Sequence, residues 1–204
     1  MCGICGKLDS NFLCKRCENQ LKINTVFKID SYTDNITKYY DEHMYAFVYD
    51  GIVRKTIINY KFNDKSYIYK TLSNYILKNE NFVENIKSYD IIIPVPISNK
   101  RNKERGYNQS GLIAREISKI TQVMMNTKTL YKKINIVPQS TLNKEEREQN
   151  IKNAYSIKNA KNIQNKKILI FDDIYTTGST VNECSKILKE NGAKEIGILT
   201  LAKD

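Results

Sequence analysis

Two adjacent carboxylates, Asp172 and Asp173, stand two residues before a hydroxyl-rich turn, Thr176, Thr177, Gly178, Ser179 and Thr180. Neighbouring carboxylates suit the hydroxyls of a sugar diol, or a magnesium ion. A turn of small hydroxyl residues around one glycine, opening a helix, aims backbone N–H groups and the positive end of the helix dipole at one point. That point suits a phosphate. Together the two features describe a site for a ribose 5-phosphate with free 2- and 3-hydroxyls. An ordinary strand, turn and helix without ligand would read the same way, and so would a Walker B strand. The Walker reading needs G-x-x-x-x-G-K-[ST], which the chain lacks, and the dinucleotide fingerprint G-x-G-x-x-G is absent as well.

A second set of reactive side chains opens the chain. Cys2, Cys5, Cys14 and Cys17 form two C-x2-C pairs separated by eight residues. In a reduced compartment, four thiolates so paired make a closed, structural zinc site rather than a catalytic one; two disulfides and an iron–sulfur cluster are the alternatives. Cys184 falls on the apolar face of a predicted helix and reads as core. Of the six arginines, Arg101, Arg105 and Arg147 fall beside other motif-like residues, the first two in a basic, loop-like segment over 99–109. Arginine binds phosphate in a bidentate fork that lysine cannot copy. Arg101 and Arg105 are therefore candidates for neutralising a departing pyrophosphate.

The elements that must position these groups follow from hydrophobic period. Residues 168–171 are continuously apolar, which predicts a strand buried on both faces of a parallel sheet and ended by Asp172 and Asp173. Val181, Cys184, Ile187 and Leu188 share one face of the following helix, with Gly192 as its stop. A second buried strand, 91–93, ends in Pro94-Val95-Pro96, where proline forces the backbone out of the sheet. Val95, Ile97 and Ser98 follow; in the fold class that the 168–180 stretch resembles, this position holds a pyrophosphate loop, to which Ile97 and Ser98 could donate N–H groups. Strands are predicted near 26–32, 44–49 and 196–201, and helices over 52–61, 65–78 and from Ser110. His43, the lone histidine, falls in a connecting segment. Gln139, Leu142, Arg147 and Asn150 form a further polar cluster around a helix that Asn143 can cap.

The 204 residues allow one α/β domain with a small appendage. No apolar stretch is long enough to span a membrane and no apolar signal region follows the start, so a cytoplasmic protein without membrane insertion is expected. The net charge of +11 would normally indicate a polyanion partner. Here 27 of the 33 basic residues are lysine, and Asn and Ile are also abundant, so a codon bias explains the charge as well as a nucleic-acid footprint does.

Residues 168–180 look like the phosphoribosyl pyrophosphate (PRPP) motif of type I phosphoribosyltransferases. The four N-terminal cysteines, Pro94-Val95-Pro96, the run Arg105-Gly106-Tyr107-Asn108-Gln109-Ser110, the cluster Gln139, Leu142, Arg147 and Asn150, and Asp172 to Thr180 narrow this further. Over nearly its whole length the chain resembles the ComF competence proteins, of the ComFC type. The resemblance implies an α/β, type I phosphoribosyltransferase fold over 25–204, a parallel sheet flanked by helices, behind a zinc-binding module over 1–24. It implies PRPP bound with magnesium: Asp172 and Asp173 on the ribose hydroxyls, Thr176 to Thr180 on the 5-phosphate, and Arg101 and Arg105 near the pyrophosphate. It also implies a role in natural transformation, handling incoming single-stranded DNA beside a DNA-translocating helicase. The acceptor of a transfer does not follow from it. A phosphoribosyltransferase and a DNA-handling adaptor with a regulatory or vestigial PRPP pocket are the two functions it leaves.

Overall fold

The computed structural model describes residues 2–11, 13–32, 37–62, 65–133 and 154–204. The chain opens with helix α1 (Lys15–Asn24) and an antiparallel pair, β1 (Thr25–Ser31) and β2 (Glu42–Val48). Three helices follow, α2 (Gly51–Phe62), α3 (Ile68–Ile76) and α4 (Glu80–Lys87), and then β3 (Ile91–Pro94). Next come α5 (Asn99–Arg105), α6 (Gln109–Thr121), and the short strands β4 (Met124–Met125), β5 (Leu130–Lys132) and β6 (Tyr155–Ile157). The chain closes with β7 (Lys167–Tyr175), α7 (Ser179–Glu190) and β8 (Glu195–Lys203).

Six strands form one sheet in the order β1-β2-β8-β7-β3-β4, parallel throughout except for the β1–β2 pair. β7 is central, and its apolar run is buried on both faces, as its composition requires. Leu169 and Phe171 pack into the core built with α2, α3, α4 and α6. Ile168 and Ile170 pack on the opposite face with Val181, Cys184 and Leu188 of α7. Cys184 is core, as expected. β5 and β6 pair with each other in a separate two-stranded ribbon.

Three expectations are corrected. The central strand does not end at the carboxylates, because Asp172, Ile174 and Tyr175 keep their partners Thr200, Ala202 and Lys203 on β8. Polar side chains do not stop a strand whose backbone still has a neighbour to bond. The basic segment after β3 is a helix, α5, capped by Ser98, which accepts from the Arg101 N–H at 3.3 Å, and ended by Gly106 at φ 73°. His43 lies inside β2 and is fully buried. The cluster Gln139, Leu142, Arg147 and Asn150 lies outside the described residues. No helix among the described residues is long and apolar enough to cross a membrane.

Candidate phosphosugar site

A cleft of about 380 Å³ lies at the C-terminal ends of β3 and β7, where open parallel sheets place their ligands. Its walls include Asp172, Asp173, Thr176, Thr180, Val95, Ile97, Arg101 and Arg105. Three elements, β7, α5 and α7, and the turns that follow β3 and β7 therefore bring the expected groups together. Thr177, Gly178, Ser179 and Ser98 are not part of the wall, although they shape the turns beside it.

Successive strand residues point to opposite faces, so the two carboxylates have different surroundings. Asp172 Oδ1 accepts from Ser110 Oγ at 3.1 Å and from the Asp173 N–H at 2.9 Å. Asp173 pairs with Lys61 Nζ at 2.9 Å, an ammonium carried by the last turn of α2. Burial, and then the neighbouring Asp173 charge, push the Asp172 carboxyl up to about 7. Lys61 and the two hydrogen bonds act against that rise.

The turn after β7 owes its form to Gly178, at φ 76°, which enters α7 without a side chain to cap it. Thr177 Oγ1 lies 2.8 Å from Ser179 Oγ and accepts from the Ser179 N–H at 3.3 Å, and these two hydroxyls brace the turn while Thr176 and Thr180 face the cleft. Val95 lines the cleft, but its N–H is spent on the Phe171 carbonyl at 2.9 Å and its carbonyl accepts from Asn108 Nδ2 at 3.0 Å. It contributes a wall rather than a free donor.

Residues 105–110 divide their work between fold and site. Arg105 closes α5 and lays its guanidinium over the Phe62 ring at 4.8 Å; burial, followed by the nearby Arg101 charge, lowers its pKa. Gly106 stops the helix, and Tyr107 donates to the Tyr60 carbonyl at 2.8 Å. Asn108 caps α6 by accepting from the Gly111 N–H at 3.2 Å. Gln109 is buried with its backbone carbonyl accepting from Tyr60, while its side-chain nitrogen, at the cleft wall, has no hydrogen-bond partner among the described residues.

Lys61, Ser110, Lys132 and Tyr155 also line the cleft, and sequence reasoning missed all four as site residues. Ser110 closes the 105–110 run and stands one residue into α6, which is the signal that points to it. Lys132 and Tyr155 lie on the short ribbon, which carries no periodic pattern. His43 is not at the cleft: Nε2 lies 2.9 Å from Thr200 Oγ1 and the ring stacks on Tyr175 at 4.3 Å. Burial, then the Lys203 charge, brings its pKa down to about 3, so it is neutral.

Far from the cleft in sequence, the sulfurs of Cys2, Cys5, Cys14 and Cys17 lie within 4.8 Å of one another. Zinc–sulfur bonds of about 2.3 Å in a tetrahedron put ligand sulfurs roughly 3.8 Å apart. Cys5 and Cys14 sulfurs are 3.8 Å apart. Burial opposes ionisation of Cys2, but backbone N–H groups of Cys14, Cys5 and Ile4 outweigh it and bring its thiol down to about 6. Burial and the other three thiols push Cys17 the opposite way. Four crowded thiols that cannot all ionise unaided are the donor set that a thiophilic cation completes, so the cluster could hold a metal ion.

A parallel sheet with an acid pair near the end of its central strand, followed by a glycine-and-hydroxyl turn into a helix, defines a phosphoribosyltransferase-like α/β protein. The model of the phosphoribosyl transferase domain family matches residues 105–204. Competence protein F of Haemophilus influenzae is 32% identical over 152 residues, 72% of this chain and 66% of that one. Competence protein ComFC of Streptococcus pneumoniae is 29% identical over 162 residues, 79% of this chain and 68% of that one. The DNA utilization protein YhgH of Escherichia coli K12 is 31% identical over 114 residues, 56% of this chain and 49% of that one. The chain thus spans between about half and two thirds of the length of these relatives. Among solved structures, a hypoxanthine phosphoribosyltransferase from Staphylococcus aureus aligns with a TM-score of 0.42 at 14% identity, covering 67% of this chain and 65% of that one. The chain belongs to the ComF family of phosphoribosyltransferase-like proteins.

Proposed function

We propose that this chain binds PRPP with magnesium in the cleft and acts in natural competence, handling incoming single-stranded DNA in the cytoplasm with the helicase of the uptake machinery. The observation that carries the PRPP reading is the gathering of Asp172, Asp173, Thr176, Thr180, Arg101 and Arg105 around one cleft. Asp172 and Asp173 take the ribose hydroxyls, and the turn at the start of α7 takes the 5-phosphate through its backbone N–H groups. Magnesium, when bound with PRPP, supplies charge neutralisation at the diphosphate. Arg101 and Arg105 meet the negative charge that builds as pyrophosphate leaves the anomeric carbon. Catalysis in this reading is positional and electrostatic. The competence reading rests on two relatives, competence protein F and competence protein ComFC. In the same proposal zinc fills the four-cysteine cluster, and residues 1–24 form a module of their own ahead of a phosphoribosyltransferase-like domain over 25–204.

The test is a screen for pyrophosphate release from PRPP across candidate acceptors, single-stranded DNA among them, in wild-type protein and in Asp173→Asn. Release that needs both an acceptor and Asp173 supports a transferase. PRPP binding without release for any acceptor moves the reading to a DNA-handling adaptor whose pocket is regulatory. DNA binding is followed in the same samples, where affinity should fall steeply with salt and depend little on sequence.

A further inference from the structure

Lys61, in the last turn of α2, holds its ammonium 2.9 Å from Asp173 Oδ1, and the two side chains are only 20% and 11% exposed. This ion pair lies in the cleft wall rather than on the outer surface. Among the described residues, Lys61 is the one cation within ion-pair distance of either carboxylate. Arg105 is drawn aside over Phe62, and Asp172 is held by the neutral donors Ser110 and its own strand. The acid pair therefore already has one counter-ion, supplied by the chain.

We propose that Lys61 is the resident cation of the acid pair, so that a divalent ion enters the cleft with a diphosphate sugar and not by itself. The inference rests on the PRPP reading of the cleft and adds an order of binding to it. Magnesium sheds its water reluctantly. Alone, it would have to displace an ammonium already paired with Asp173 and leave that ammonium partly buried and unpaired, which is costly. A diphosphate changes both conditions. It coordinates the ion itself, and it offers Lys61 a second anion.

The experiment follows thermal unfolding of the full chain with magnesium chloride alone, at constant ionic strength, for wild type, Lys61→Met, Lys61→Gln and Lys61→Arg. Wild type and Lys61→Arg should not respond. The two neutral variants should rise by about 2–4 °C, the response of a chain of this size to a modest gain in stability. Adding Asp173→Asn to Lys61→Met should abolish that rise. Should both neutral variants fail to fold, calorimetric titration of wild type with magnesium chloride decides the matter, and saturable binding without PRPP overturns the proposal. So does a magnesium response in wild type equal to that of Lys61→Met, or none in the folded neutral variants. A parallel arm adds PRPP with magnesium to wild type. Failure of that arm alone would count against the PRPP reading, whereas the magnesium-only arms judge Lys61.

Discussion

The phenol of Tyr175 lies directly beneath Gly178, so close that a Cβ on that glycine would overlap the tyrosine oxygen and ring. Tyr175 is fixed in turn by Tyr40 Oη at 2.8 Å, Lys38 Nζ at 3.0 Å and the stacked His43 ring. The turn that enters α7 thus rests on a buried aromatic floor.

Gly178→Ala should accordingly be costly twice over. The left-handed backbone at φ 76° penalises any Cβ by about 1–2 kcal/mol, and the tyrosine must move as well. Chemical denaturation should show a loss of at least that size, with PRPP stabilisation weakened in the same variant. An unchanged midpoint would mean that the turn does not depend on this contact.

The pH dependence of stability should carry the signature of Asp172. Its carboxyl titrates near 7 in the folded chain, with burial the largest cause, against about 4 when unfolded. Between those values the folded state holds a proton that the unfolded state has released, so stability falls as pH rises from about 4 to about 7. Asp172→Asn should remove that part of the fall and be the more stable protein at pH 8. Parallel pH–stability curves for the two proteins would contradict the assignment.

The metal prediction concerns Cys14. Purified protein should contain about one equivalent of zinc, and Cys14→Ser or a strong chelator should unfold the N-terminal module, because such modules draw their folding energy from the ion. Metal-free protein with the wild-type melting curve would count against a structural zinc.

Much of this arrangement is legible in the residues, and the failures have physical causes. The apolar run 168–171 declared a strand buried on both faces, and helix period located α2 and α6. Residues 99–105 read as a loop because their composition is Asn, Lys, Arg and Glu with no apolar face, yet Ser98 and Gly106 cap them into α5. The continuation of β7 through Asp172 and Asp173 depends on β8, whose partner residues lie 28 positions further on, as Thr200 does from Asp172, and which a local pattern does not reveal. Lys61 looked like the end of a helix. Its meeting with Asp173 is set by how α2 packs on the sheet, which no spacing in the chain encodes.

Thr176 bears on the acceptor. A purine acceptor that gives up a ring proton on transfer needs a general base beside it. Here a threonine lines the cleft, and a hydroxyl cannot serve as a general base at neutral pH. Neutral, buried His43 is turned toward Thr200 and Tyr175 and cannot replace it. Incubation with PRPP, magnesium and hypoxanthine or guanine should yield no nucleotide. Sustained turnover with either base would make salvage the function.

The central claim is that the acid pair and the α7 turn hold PRPP, and thermal unfolding with PRPP and magnesium tests it most directly. At about a hundredfold its dissociation constant, PRPP should add roughly 2.7 kcal/mol to the stability of the wild-type chain, and Asp173→Asn should lose most of that gain. No stabilisation of the wild type, or equal stabilisation of the variant, would contradict the account.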